Sequence, residues 1–334
     1  MDPLSHGLLG AVCGLAAARR GARGALLAGA AGALLPDADV LLRSHVDPLL
    51  TLELHRTFSH SFVAAPAGAA LAATVVWLLR RRQPGWPALY AAALAGFVSA
   101  ILLDACTSYG TQLGWPFSAT RHAASVIAVV DPWMTVLLLA GVVVAWRRRS
   151  AVPAWAALAC ALAYLGLGAV QHARAVATVT ALAATRGDTP ARLAVKPTLG
   201  NLLLWRAVYE ADGVFRIEAV RVPLFGDPVV YPGRPQPRLD LASVDASPLQ
   251  RRDLARFAAV SDGWLVRHPD HADVVGDIRY AMLPDAHRPL WGVQLQPQAP
   301  ARHVTFETFR AFSAADRAHF LALLKGHPVA ARAD

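Results

Sequence analysis

The chain has 334 residues, 55% of them hydrophobic and only 16% charged, where an average soluble domain carries about 25% charged residues. With a mean hydropathy of +0.38, this balance argues against a soluble protein throughout and for a membrane protein, or one with a membrane half; the length allows two domains. Much of the net charge of +9 sits in short clusters between apolar runs, Arg19-Arg20 with Arg23, Arg80-Arg81-Arg82 and Arg147-Arg148-Arg149, which read as topology signals, so no nucleic-acid partner is expected.

Asp2 and His6 precede the first apolar run and no basic segment leads it, so no cleaved signal peptide is expected. Apolar segments follow at 7–18, 24–35, 61–79, 87–106, 133–146 and 154–170. The third and fourth approach the ~20 residues that cross a bilayer; the first two are short for a full crossing. All are rich in Ala, Gly and Leu, and small residues let membrane helices pack closely. The basic loops at 19–23, 80–83 and 147–149 are alternate connections in a six-helix count, so they agree on one cytoplasmic side. That places the N-terminus, 36–60 and 107–132 outside. Cys13, Cys106 and Cys160 lie in apolar runs and form neither a disulfide framework nor a zinc-type CxxC pair.

From about residue 185 the pattern changes. Residues 202–222 alternate on both sides of Asp212-Gly213, a hairpin signal. Ser247-Pro248 opens one helix and Ser313 to Gly326 bounds another. Strands are expected near 263–267, 274–283, 290–296 and 303–309, and the prolines of 223–237 predict a loop or an extended connection. The expected fold class is therefore mainly α: a multi-helix integral membrane bundle over residues 1–175, then a small extracytoplasmic α+β domain over 185–334.

The acids and histidines of the membrane half gather at one end of it. His6, Asp37, Asp39, His55, His60, Asp104 and Asp131 each fall at an outer helix end or in an outer loop. Ionisable groups beside apolar helices are costly and usually have partners or a function. Taken singly, Asp37 and Asp131 read as helix caps, Asp131-Pro132 especially, and His6 as an interfacial histidine; His45, His122 and His172 read as ordinary loop or interfacial residues. Their convergence on one face is what single-residue readings explain badly, and histidines with carboxylates make sites for zinc or another divalent first-row ion.

The ordered pieces "MDPLSHGLLG", "LLPDADVLL", "HRTFSHSF", "LLDACTSYGTQLGWPFS", "TRHA" and "VVDPWMT", spread over residues 1–140, resemble the YdjM-like family of membrane-bound metal-dependent hydrolases. The resemblance implies an integral membrane protein with a metal-dependent hydrolase centre, its polar motif falling on His6, Asp37, Asp39, His55, Arg56, His60, Asp104 and Asp131. More distantly the family resembles zinc-dependent phospholipases C and related helical nucleases, which by analogy suggests a phosphoester. One position departs: family members commonly carry a histidine four residues before the aspartate matching Asp104, and here Ala100 stands there, which puts a two-metal mechanism in doubt. On this reading the ligands are His6, Asp37, His60 and Asp104, with His55 next. Asp39 either orients a ligand histidine or takes the proton of water, and Arg56 holds an anionic substrate or charge on a phosphoryl oxygen. Ser59, Thr107, Ser108 and Tyr109 are candidates to position substrate. The expected cofactor is a divalent metal, zinc first and manganese or iron as alternatives; the expected partners are membrane lipid and a small or lipid phosphoester. The competing expectation is a non-catalytic membrane protein with a structural metal or polar cluster and a partner-binding α+β domain. A transporter is the weaker third, since its site would lie at the bilayer midplane. No P-loop or GxSxG elbow is present.

Overall fold

The computed structural model describes residues 1–17, 22–44, 46–81 and 85–329; Arg19, Arg20, Arg82 and His45 lie outside the described residues. The chain divides into two compact units. The first comprises residues 1–42, 54–170 and 199–201, the second residues 43–53, 171–198 and 202 onward.

The helices in chain order are α1 (Pro3–Ala17), α2 (Ala22–Leu34), α3 (Leu50–Leu54), α4 (Ala65–Leu79), α5 (Trp86–Cys106), α6 (Pro132–Arg148) and α7 (Val152–Thr185), with short 3-10 turns at Pro36–Leu41 and Phe58–His60. Each expected apolar segment thus contains a helix. Among the described residues, however, only α5 and α7 are by themselves long and apolar enough to cross a membrane. The stretch Leu50–His60 joins α4 in a third candidate that is bent by 84°, and α1 belongs with the shorter apolar helices. The last segment also differs from expectation. Hydropathy falls at Gln171, but the helix runs on to Thr185, because Gln171, Arg174 and their neighbours lower hydropathy without breaking a helix.

Glycines at the helix contacts shape how the first unit packs. A Cβ on Gly10 of α1 would collide with the Gly29 carbonyl of α2, one on Gly29 with the Gly10 carbonyl, and one on Gly96 of α5 again with the Gly29 carbonyl. Backbones therefore meet directly, the mode that small residues permit between apolar helices. The contact brings the His6 end of α1, the Asp37 end of α2 and the Asp104 end of α5 together. At α6, Asp131 accepts from the Trp133 and Met134 amides at 3.0 and 3.1 Å, ahead of Pro132 at N1, a helix start of the usual kind.

The second unit holds two antiparallel sheets. One has the order β1 (Arg192–Pro197), β2 (Leu204–Ala211), β3 (Val214–Arg221), β4 (Val229–Pro232), with β5 (Gln236–Pro237) also on β3. The other runs β6 (Leu265–His268), β7 (His271–Asp277), β8 (Trp291–Gln294), β9 (Thr305–Thr308). Asp212 and Gly213 take φ of 50° and 71°, the paired left-handed geometry of a tight hairpin turn. Ser247 caps α8 (Pro248–Val260), and Ser313 with Asp316 makes a capping box on α9 (Ala314–Lys325), which closes on left-handed Gly326. β1 was not expected, and β4 and β5 lie where a proline-rich connection was. Residues 43–53 also join this unit: Leu49 is 1% exposed among Leu254, Phe257, Val275 and Val293. Arg256 of α8 donates to Asp47 at 2.8 Å and to Glu53 at 2.7 Å.

Candidate metal centre

His6 lies one turn into α1 and is fully buried. Its Nδ1 is 2.9 Å from Asp37 Oδ2, which assigns the ring proton to Nδ1. Its Nε2 then faces Asp104 Oδ1 at 3.3 Å. Asp104, in the last turn of α5, is also fully buried. His60 ends the second 3-10 turn: its Nε2 lies 3.1 Å from Asp104 Oδ2 and 3.5 Å from Asp37 Oδ1. Its Nδ1 lies 2.9 Å from Ser59 Oγ, while that hydroxyl donates to Asp39 Oδ2 at 2.7 Å. A neutral His60 therefore carries its proton on Nδ1 and turns the Nε2 lone pair toward the two carboxylates. Ligand atoms of His6, Asp37 and Asp104 lie within 4.8 Å of one another.

Distances alone would fit a plain ion-pair cluster. His6 Nε2, His60 Nε2 and Asp104 Oδ2 are all buried and none has an aligned hydrogen-bond partner, a costly arrangement for three polar atoms. Both imidazole nitrogens face the Asp104 carboxylate, one on each oxygen, and two imidazole nitrogens with carboxylate oxygens are the donor set of zinc and its neighbours. The residues present fit a divalent cation. The groups already beside Asp104 are themselves cationic: Arg56 Nη2 at 2.7 Å and the Met1 amino group.

Around this core the motif residues take different places. Asp39 is fully committed, accepting from the Arg56 amide at 3.0 Å, from Ser59 and from His55 Nδ1 at 2.8 Å, with His60 Nδ1 at 3.3 Å. Burial alone pushes the Asp37 and Asp39 carboxyls up. The histidines outweigh it, His6 and His60 on Asp37, His55 and His60 on Asp39, and hold both carboxyls well below the usual carboxylate range. His55 sits on the outer side of Asp39, about a quarter exposed, and not among the converging atoms. Arg56 takes left-handed backbone, φ 60°: its Nη1 donates to Thr107 at 2.8 Å and its carbonyl accepts from the Gln112 amide. Such a conformation costs of order 1–3 kcal/mol and persists only where the surroundings over-determine it.

Thr107 is fully buried and donates to the Asp104 carbonyl at 2.7 Å, so it supports the end of α5. Ser108 and Tyr109 are half-buried. The Tyr109 ring lies 5.4 Å from that of His55, with the Arg56 and Arg121 guanidiniums 5.4 and 5.8 Å from its centre. Asp131 stands apart: beyond the α6 amides it accepts from Tyr164 Oη at 2.9 Å, so both oxygens serve structure. Ala100 is buried one turn below Asp104 and offers no ligand atom. Sequence reasoning overlooked Arg121, which donates to the His55 carbonyl at 3.3 Å; its signal was the lone arginine of the 107–132 loop, in the "TRHA" piece.

No curated protein and no solved structure matches the chain. Residues 1–175 match the family described as YdjM inner membrane protein. With the apolar helices and the convergent polar ends already in view, that match over more than half of the sequence shows that the chain belongs to the YdjM inner membrane protein family.

Proposed function

We propose that the chain is a multi-helix integral membrane hydrolase. It binds a divalent cation, zinc first and manganese or iron as alternatives, and cleaves a phosphoester or lipid-like substrate at the outer membrane face. The observation that carries this reading is the gathering of His6, Asp37 and Asp104 ligand atoms within 4.8 Å of one another, with His60 Nε2 3.1 Å from Asp104 and the buried His6 Nε2, His60 Nε2 and Asp104 Oδ2 all without a hydrogen-bond partner. His6, Asp37, His60 and Asp104 would hold the ion. When bound, it supplies Lewis acidity at a substrate oxygen. The chain's own residues do the rest. Asp37 Oδ2 and Asp39 keep the protons of His6 and His60 on Nδ1, as carboxylates behind ligand histidines do. Of the two roles open to Asp39, three donors on its oxygens favour orientation over proton transfer. The partly exposed His55, backed by Asp39, is then the group placed to take a proton. Arg56, engaged by Asp104 and Thr107, fixes Asp104. One metal is expected, since Ala100 adds no ligand.

Purified full-length protein in detergent should carry about one divalent ion per chain by elemental analysis, and His60→Ala should lose most of it. Hydrolysis of a phosphodiester or a phospholipid should appear in the same preparation and disappear in H60A. Metal-free protein with no thermal shift on added zinc or manganese, and indifferent to H60A, would falsify the reading.

The centre's burial favours a second reading. His6, His60 and Asp104 are fully buried, and Asp37 is only 16% exposed, as suits a structural site that is closed to water. A tightly held metal that raises the melting temperature, with no turnover on any phosphoester, would decide for it.

The outer placement of the site and of the second unit rests on the three arginine clusters on alternate connections. A reporter active only outside the cytoplasm, fused to the C-terminus, should be active; a silent reporter on stably inserted protein overturns this orientation.

A further inference from the structure

Residues 152–170 of α7 carry no charged side chain. At ~1.5 Å per residue they cover roughly 28 Å, close to the ~30 Å of a hydrocarbon core. Along them Trp155, Leu162 and Val170 are 60, 69 and 57% exposed, an apolar surface suited to lipid. The run ends abruptly at Gln171, His172 and Arg174, while the helix continues to Thr185 with Ala175, Val179 and Ala183 buried in the core of the second unit.

A loop of the second unit is fastened at that level. Gln171 Nε2 donates to the Val222 carbonyl at 2.8 Å. Arg174 donates to the Pro223 carbonyl at 2.6 Å and to the Gly226 carbonyl at 2.8 Å. Between those anchors the chain turns outward, leaving Leu224 52% and Phe225 90% exposed. A fully exposed phenylalanine next to leucine, held rigidly beside a helix where it emerges from lipid, has one covering phase at hand. We propose that Leu224 and Phe225 form an interfacial anchor that dips into the headgroup–acyl boundary of the membrane that α7 crosses. Aromatic and apolar side chains are favoured in that layer. Arg174 beneath the loop suits a phosphate-rich layer, and Asp227, exposed two residues past Phe225, keeps the tip from going deeper.

The test uses full-length protein in phosphatidylcholine–phosphatidylglycerol nanodiscs, with Cys13, Cys106 and Cys160 replaced by alanine and a single spin label at Phe225→Cys. Labels at Leu162→Cys and Thr185→Cys, on the same helix, calibrate lipid and water; Thr185 is about 21 Å beyond Gln171 at ~1.5 Å per residue. Accessibility to oxygen and to a water-soluble nickel complex is read at each. The oxygen-to-nickel ratio at 225 should exceed that at 185 several-fold and approach that at 162. A ratio equal to that at 185 overturns the anchor. So does a label shielded from both reagents, which would mean that protein, for example a second copy of this chain, covers the tip. A water-like ratio at 162 overturns it as well, since α7 would not cross the bilayer.

Discussion

Asp104→Ala is expected to lower the stability of the first unit by about 3–5 kcal/mol, the usual cost of stripping one partner from a buried ion pair. Asp104 is fully buried, and its carboxylate stands against Arg56 at 2.7 Å, the Met1 amino group, His6 at 3.3 Å and His60 at 3.1 Å. Removing it strands a guanidinium that is 4% exposed and is left, among the described residues, with the Thr107 hydroxyl and the Tyr109 ring and no second carboxylate. The double variant Asp104→Ala/Arg56→Ala should recover part of the loss, because it removes the stranded charge as well; neighbours in one network do not add. Thermal melts of the four proteins in one detergent, with and without added zinc, measure both effects. A melting temperature for D104A equal to that of the parent would mean that the cluster contributes no stability. A double variant less stable than D104A would mean that Arg56 has a role independent of Asp104.

The convergence behind that expectation was legible before the fold was known, for a physical reason. Carboxylates and imidazoles at the ends of apolar helices are too expensive to be idle, so His6, Asp37, His60 and Asp104 marked a common end. Turn and cap chemistry was equally local: Asp212-Gly213 specified the hairpin, and Ser247-Pro248 and Ser313…Asp316 specified the starts of α8 and α9. What could not be read depended on distant partners. Residues 43–53 looked like part of the loop between two motif pieces. They pack in the second unit because Leu49 and Asp47 meet α8, about two hundred residues away. β1 ends in Pro197 and carries Arg192 and Lys196, so it shows no alternation; it becomes a strand only by pairing with the fully buried β2. Asp131 has the same ambiguity in reverse. Its cap role was visible in Asp-Pro, but only the Tyr164 hydroxyl, brought in by α7, shows that its second oxygen is also taken.

Gly29→Ala should be strongly damaging although it is a small substitution, and Gly29→Leu should prevent stable insertion or folding. Alanine normally stabilises a helix by about 1 kcal/mol relative to glycine, so the sign of the effect depends on the space available. At Gly29 the new Cβ would meet the Gly10 carbonyl oxygen and carbon of α1, both backbone atoms. A side chain can rotate away from such a clash; a helix must move as a body. Overpacking of this kind costs typically 1–3 kcal/mol, and the Gly96 contact of α5 on the Gly29 carbonyl leaves little freedom on the other side. The consequence reaches the centre. If α1 shifts away from α2, His6 leaves Asp37, and their 2.9 Å contact is the one that keeps the His6 proton on Nδ1. G29A should therefore lower both the melting temperature and metal retention. Gly166→Ala supplies the control, since a Cβ there meets nothing within 4 Å, and it should be neutral or slightly stabilising. Equal melting temperatures and metal contents for G29A and G166A would show that backbone contact between α1, α2 and α5 does not set the position of His6.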